Sequence, residues 1–89
     1  MFTNIQTLEA YVAQMNTWRA VWKKPALSLQ SAKDRQTIAN SIDGELSPEN
    51  LTCDGELPAN MVRQRYNRLT RCAQELMSID STVTFYEFS

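Results

Sequence analysis

Apolar residues in the first quarter of the chain recur every three or four positions. Ile5, Leu8, Val12 and Met15 fall on one line of a helix, with Tyr11, Trp18 and Trp22 in a second row beside it. Together they make a stripe as broad as a core-facing helix needs. The spacing predicts a helix over about residues 3–23. Thr3 or Asn4 is its N-cap, and Pro25 stops it, because a residue before proline is pushed out of the α region. A second helix is expected over about 28–43, opened by capping serines. Its stripe of Leu29, Ala32, Ile38, Ala39 and Ile42 is weaker, and Gly44 stands where a left-handed C-terminal cap belongs. The third pattern is the cleanest. Val62, Tyr66, Leu69, Ala73 and Leu76 alternate four-three-four, a seam of coiled-coil type flanked by Met61, Cys72 and Met77. It predicts a helix over about 58–78, with Pro58 at a first position whose N–H would be unpaired anyway.

The end of the chain changes character. Val83, Thr84, Phe85, Tyr86 and Phe88 favour an extended conformation over 81–89. A lone strand is not stable, so this tail must pair or lie across the helices by its aromatics. The expected fold is mainly α: one domain over 1–89, with long antiparallel helices and an extended C-terminal segment.

Between the second and third helices, residues 43–57 read DGELSPENLTCDGEL and spell Asp-Gly-Glu-Leu twice. A calcium loop is the first chemistry to test. Counted from Asn50, the second copy offers Asn50, Thr52 and Asp54, Gly55 at position six and Leu57 at position eight. Position twelve is Met61, where calcium needs a bidentate Glu. The first copy fits less well, with Ala39 and Ser41 in ligand positions. Turn chemistry accounts for more of the letters. Gly44 and Gly55 read as helix stops, Ser47-Pro48-Glu49 as the start of a short turn, and Leu46, Leu51 and Leu57 as apolar plugs. The segment reads as an acidic connector, with no metal and no cofactor expected.

Composition narrows the function classes. The 89 residues are 43% hydrophobic and 21% charged, with a net charge of −1 and two glycines. Such a chain is too apolar to be disordered. A domain of this size buries only about 60–65% of its unfolded surface, so a homodimer sharing a core is a natural remedy. The N-terminal residues lack a basic stretch followed by an apolar run, and nowhere is there an apolar run long enough to span a bilayer. The expectation is a cytoplasmic protein with Cys53 and Cys72 as reduced thiols.

There is no histidine in the sequence. Ser-His-Asp and Cys-His nucleophile pairs are therefore absent from it, as is a Gly-rich phosphate loop. Asp43, Glu45, Glu49, Asp54 and Glu56 crowd the connector, but carboxylates act as acids and bases only when burial shifts them. An enzyme is not expected.

Two groups remain as candidate binding residues. Arg63, Arg65, Arg68 and Arg71 read as a basic arc opposite the third helix's seam, suited to phosphates or to carboxylates on a protein. Tyr11, Trp18 and Trp22 belong to residue types enriched as interface anchors. The string SPENLTCDGELP, followed by VRQRYNRLTRCAQEL, resembles small uncharacterised reading frames of tailed phages and prophages, over about residues 47–76. That resemblance implies a phage-encoded accessory protein in the host cytoplasm, and no residue role. The function expected is a small protein-interaction factor, dimeric, binding a host or phage protein. The alternative is a nucleic-acid-binding accessory protein using the arginine face.

Overall fold

A computed structural model describes residues 8–50 and 59–87. Their architecture is mainly α: α1 (Leu8–Val21), α2 (Ala32–Glu45), a single 3-10 turn (Pro48–Asn50) and α3 (Ala59–Ile79). No strand occurs among the described residues. The expected cap at Thr3 or Asn4 lies outside them, as do Pro58, Cys53 and the second Asp-Gly-Glu-Leu.

The third helix packs against both others. At one end Leu8 N–H, in the first turn of α1, donates to Glu75 Oε1 near the end of α3 at 2.6 Å. A carboxylate there satisfies an unpaired donor and complements the positive end of the helix dipole. At the other end Trp18 of α1 lies beside Arg65 and Arg68 of α3. These contacts make α1 and α3 antiparallel. The ion pair of Arg35 Nε with Asp80 Oδ2 at 2.7 Å, together with Glu45 at the end of α2 beside Arg65 and Arg68, does the same for α2 and α3.

The core is drawn from all three helices and both flanking segments. Leu8, Tyr11 and Val12 meet Ile38, Ala39, Ile42 and Leu46, with Leu69, Cys72, Ala73 and Leu76 between them. Leu27 and Val83 close it from outside the helices. Burying a leucine or isoleucine side chain stabilises by about 1.5–3 kcal/mol, so this cluster is what holds the helices together.

The end of α1 is a Schellman turn without glycine. Lys24 N–H donates to Arg19 O at 2.8 Å and Lys23 N–H to Ala20 O at 3.0 Å, with Lys23 at φ 58°. The helix is thus closed before Pro25 is reached. α2 begins later than the expected residue 28. Ser31 is its N-cap, its Oγ accepting from Asp34 N–H at 3.3 Å, while the Asp34 carboxylate draws Ser28 N–H at 2.9 Å. Leu29 therefore packs from a loop, and Ala32 is exposed.

Gly44 is not a left-handed cap. The helix continues through it to Glu45, and Leu46, in the right-handed region, closes the end by donating to the carbonyls of Ile42 and Asp43 at 3.1 Å, while Ser47 N–H donates to the Gly44 carbonyl at 3.3 Å. The first Asp-Gly-Glu-Leu is accordingly the last turn of a helix and not a loop.

Through residue 87 the tail lies across the helices, held by side chains and, among the described residues, by no partner strand. Gln36 Oε1 accepts from Thr84 N–H at 3.1 Å and Gln36 Nε2 donates to Thr84 O at 3.2 Å, as a neighbouring strand would. Asn16 treats Leu27 in the same way, at 2.8 and 3.0 Å. Asp43 receives two successive amides, Tyr86 N–H at 2.9 Å and Glu87 N–H at 2.7 Å. These are charge-assisted bonds at a nearly buried carboxylate.

Candidate functional site

The buried face of α3 is rotated from the expected seam. Leu69, Cys72, Ala73 and Leu76 are buried, Val62 is half-buried and Tyr66 is 48% exposed. Cys72 moves inward and Tyr66 outward. One consequence falls on the arginines. Arg65 precedes Cys72 by seven residues, a separation of only about 20° around a helix, so it shares the core-facing side. It is half-buried, whereas Arg63, Arg68 and Arg71 are exposed. Four arginines on the arc opposite the seam is therefore a reading the structure corrects: Arg65 has left that arc.

No residue of α3 before Leu69 is buried. The α1–α3 pair thus runs on past the core as two walls with a groove of about 210 Å³ between them. On the α1 wall stand the neighbours Gln14 and Met15, with Trp18 one turn farther on. The α3 wall supplies Arg65, Arg68 and Leu69, and Glu45 of α2 closes the inner end.

The inner end of the groove is fixed by a polar network. Tyr11 Oη donates to Glu45 Oε2 at 2.5 Å and lies 3.0 Å from Ser41 Oγ. The phenol has one proton and it goes to Glu45, so Ser41 is the donor in the second bond. Burial first, and then the Glu45 carboxylate, push the Tyr11 hydroxyl well above the ordinary tyrosine range. Behind it, Cys72 has no exposed surface, and its thiol is pushed up to about 11, chiefly by burial and then by Glu75. A thiol in that state is a core residue and not a nucleophile.

The three aromatics separate. Tyr11 is 7% exposed and belongs to the core; Trp18 and Trp22 are 62% and 72% exposed. Trp22 lies four residues on from Trp18, one turn farther along the same wall. On the opposite wall Met61, 51% exposed, precedes Arg65 by four. Apolar surface on both walls thus continues beyond the groove.

The connector acids disperse. Asp43 holds the tail, Glu45 holds Tyr11, and Asp54 and Glu56 lie outside the described residues. Among the described residues no three His, Cys, Asp or Glu side chains are grouped to hold a metal ion, and no helix is long and apolar enough to cross a membrane. Comparison with known proteins returns no family model, no curated protein and no solved structure that matches the chain.

Sequence reasoning named Trp18, Arg65 and Arg68 but did not bring them together. Meeting required the antiparallel register of α1 and α3, and that register is set partly by Glu75 on Leu8, 67 residues apart. Glu75 carried a readable signal as an acid near the end of a helix, where it does nothing for its own helix dipole.

Proposed function

We propose that the protein is a non-enzymatic interaction factor that binds another protein through the α1–α3 face bearing Trp18 and Trp22. The observation that carries the reading is the exposure of both tryptophans, 62% and 72%, on a domain whose core closes without them. Trp is enriched among the residues that dominate binding energy. The arginine-flanked groove beside Trp18 adds donors suited to carboxylates. The resemblance of residues 47–76 to phage reading frames would place the partner among phage or host proteins of the cytoplasm.

A two-fold homodimer centred on this face is disfavoured, because near the axis each residue meets its own copy. Arg65 and Arg68 would then face Arg65 and Arg68. The dimer expected from the thin core would need another surface.

The test uses a photo-crosslinking residue at position 22 and, as control, at the exposed position 13. Adducts to another polypeptide should form from position 22, be lost with Trp18→Ala, and not form from 13. The Trp18→Ala and Trp22→Ala variants should melt within about 0.5 kcal/mol of the parent, as surface substitutions do. Equal adducts from both positions, or a loss of stability beyond about 2 kcal/mol, would overturn the reading.

A further inference from the structure

We infer that the C-terminal tail is exchangeable: the α2 face that holds residues 83–87 accepts the same segment from a second copy of this chain. That face grips a main chain. Gln36 and Asp43 lie seven residues apart on α2, on one line of the helix and about 10 Å along it. The Gln36 amide pairs with both backbone groups of Thr84, and its Nε2 also donates to Asn40 Oδ1 at 2.9 Å, which fixes the way the amide faces. Asp43 takes the amides of Tyr86 and Glu87. Within the segment Val83 is buried in the core cluster and Phe85 packs against it, while Thr84, Tyr86 and Glu87 are exposed. Backbone groups and alternate apolar side chains are what a bound peptide offers a receptor, and here the peptide is the chain's own.

A short turn joins this segment to the rest. Ser81 and Thr82 link it to the end of α3, with Thr82 N–H on Asp80 Oδ1 at 2.9 Å and Val83 N–H on Asp80 O at 3.4 Å. Residues 83–87 lie beyond α3, so releasing them breaks no intrahelical hydrogen bond, and they detach as a local unit. Opening the turn carries the segment away from its own α2. A second copy opened in the same way offers an identical clamp, and reciprocal exchange remakes each of these contacts across a closed two-fold dimer. A segment on so short a tether is held at an effective concentration on the order of 1 mM, so exchange in the unaltered chain sets in as protein concentration approaches that value. The surface shares no residue with the tryptophan face and is tested apart from it.

Two full-length variants separate acceptor from donor. Gln36→Ala with Asp43→Ala removes the clamp and keeps the tail, whereas Val83→Asp with Phe85→Asp keeps the clamp and spoils the tail. Each alone should be monomeric by gel filtration with light scattering. Mixed at about one-tenth of that effective concentration, they should form a one-to-one complex, the first chain's tail in the second chain's clamp, because neither chain's own tail competes. Should either variant fail to fold by circular dichroism, deletion of Ser81 from the otherwise unaltered chain leaves too short a turn to close and should shift the monomer to a dimer. A folded pair that stays monomeric on mixing overturns the inference. So does a Ser81-deleted chain that stays monomeric where the pair cannot be used, or a dimer that persists after Gln36→Ala with Asp43→Ala.

Discussion

Asp80 shows how much a single side chain does in this fold. Its Oδ1 accepts from Thr82 N–H at 2.9 Å and from the Thr82 hydroxyl at 2.5 Å, and its Oδ2 takes Arg35. Arg35 in turn donates to Leu29 O at 2.8 Å, so one pair ties the loop before α2, the end of α3 and the start of the tail. The Thr82 hydroxyl, then Arg35 and then the Thr82 amide lower the Asp80 carboxyl to about 2. Its folded value lies below the ordinary unfolded value of about 3.9, so the unfolded chain binds the proton first. The stabilisation is therefore present above about pH 4 and fades as pH falls toward 2. Asp80→Asn should melt below the parent at pH 6, and the gap should close by about pH 2. A gap of constant size across that range would mean the pair does not act through its charge. Gly44 is the second residue with a sharp consequence. Its φ is not left-handed and a Cβ there would meet nothing within 4 Å. Gly44→Ala should therefore stabilise α2, by about 0.5–1 kcal/mol, with a rise in melting temperature. A left-handed cap would give the opposite sign.

At the scale of elements, the expected helices were legible because period-3.6 patterning is local, and each pattern could be read without the others. Their ends were less so. Gly44 followed by Ser47-Pro48 looks like a stop, yet backbone donors from Leu46 close the turn two residues later. The tail is the more instructive case. Its extended character was readable from β-branched and aromatic residues, but its partners were not, because Gln36 and Asp43 lie 43 to 48 residues away and no local pattern marks them. In α3 the four-three-four spacing pointed to Tyr66 as core, whereas the helix rotates toward Cys72 and only its second half holds fully buried residues. Leu69→Ala should accordingly cost about 2–5 kcal/mol, as a fully buried leucine does. Tyr66→Ala should cost about 0.5 kcal/mol or less, as exposed positions do. Urea unfolding of the two variants measures both. Equal losses would restore the original seam and place Tyr66 against something that covers it.

On the scale of the whole molecule, position and not composition separates the two binding chemistries. The net charge of −1 conceals a division: four of nine cationic residues fall on α3, and the acids are concentrated at the end of α2 and after it. A nucleic-acid surface needs several cations in a continuous track, each releasing counterions from a phosphate. The fold takes Arg65 and Arg68 out of that track to line the groove, leaving Arg63 and Arg71 on the outer side. Two phosphate contacts would give a salt slope of about −1.8, too shallow to sustain binding beside a chain that is itself negative overall. The protein should therefore show no binding to duplex DNA or single-stranded RNA at about 150 mM salt, where ordinary non-specific affinities reach only about 10⁻⁴–10⁻⁶ M. Fluorescence anisotropy of labelled oligonucleotides, titrated at three salt concentrations, makes the measurement. Micromolar binding whose salt slope falls by about one unit with each of Arg63→Ala and Arg71→Ala would assign the outer side of α3 to phosphates. Unchanged slopes in those variants, with loss of protein adducts only in the groove variants, would leave that outer side as the solvated back of a protein-binding helix.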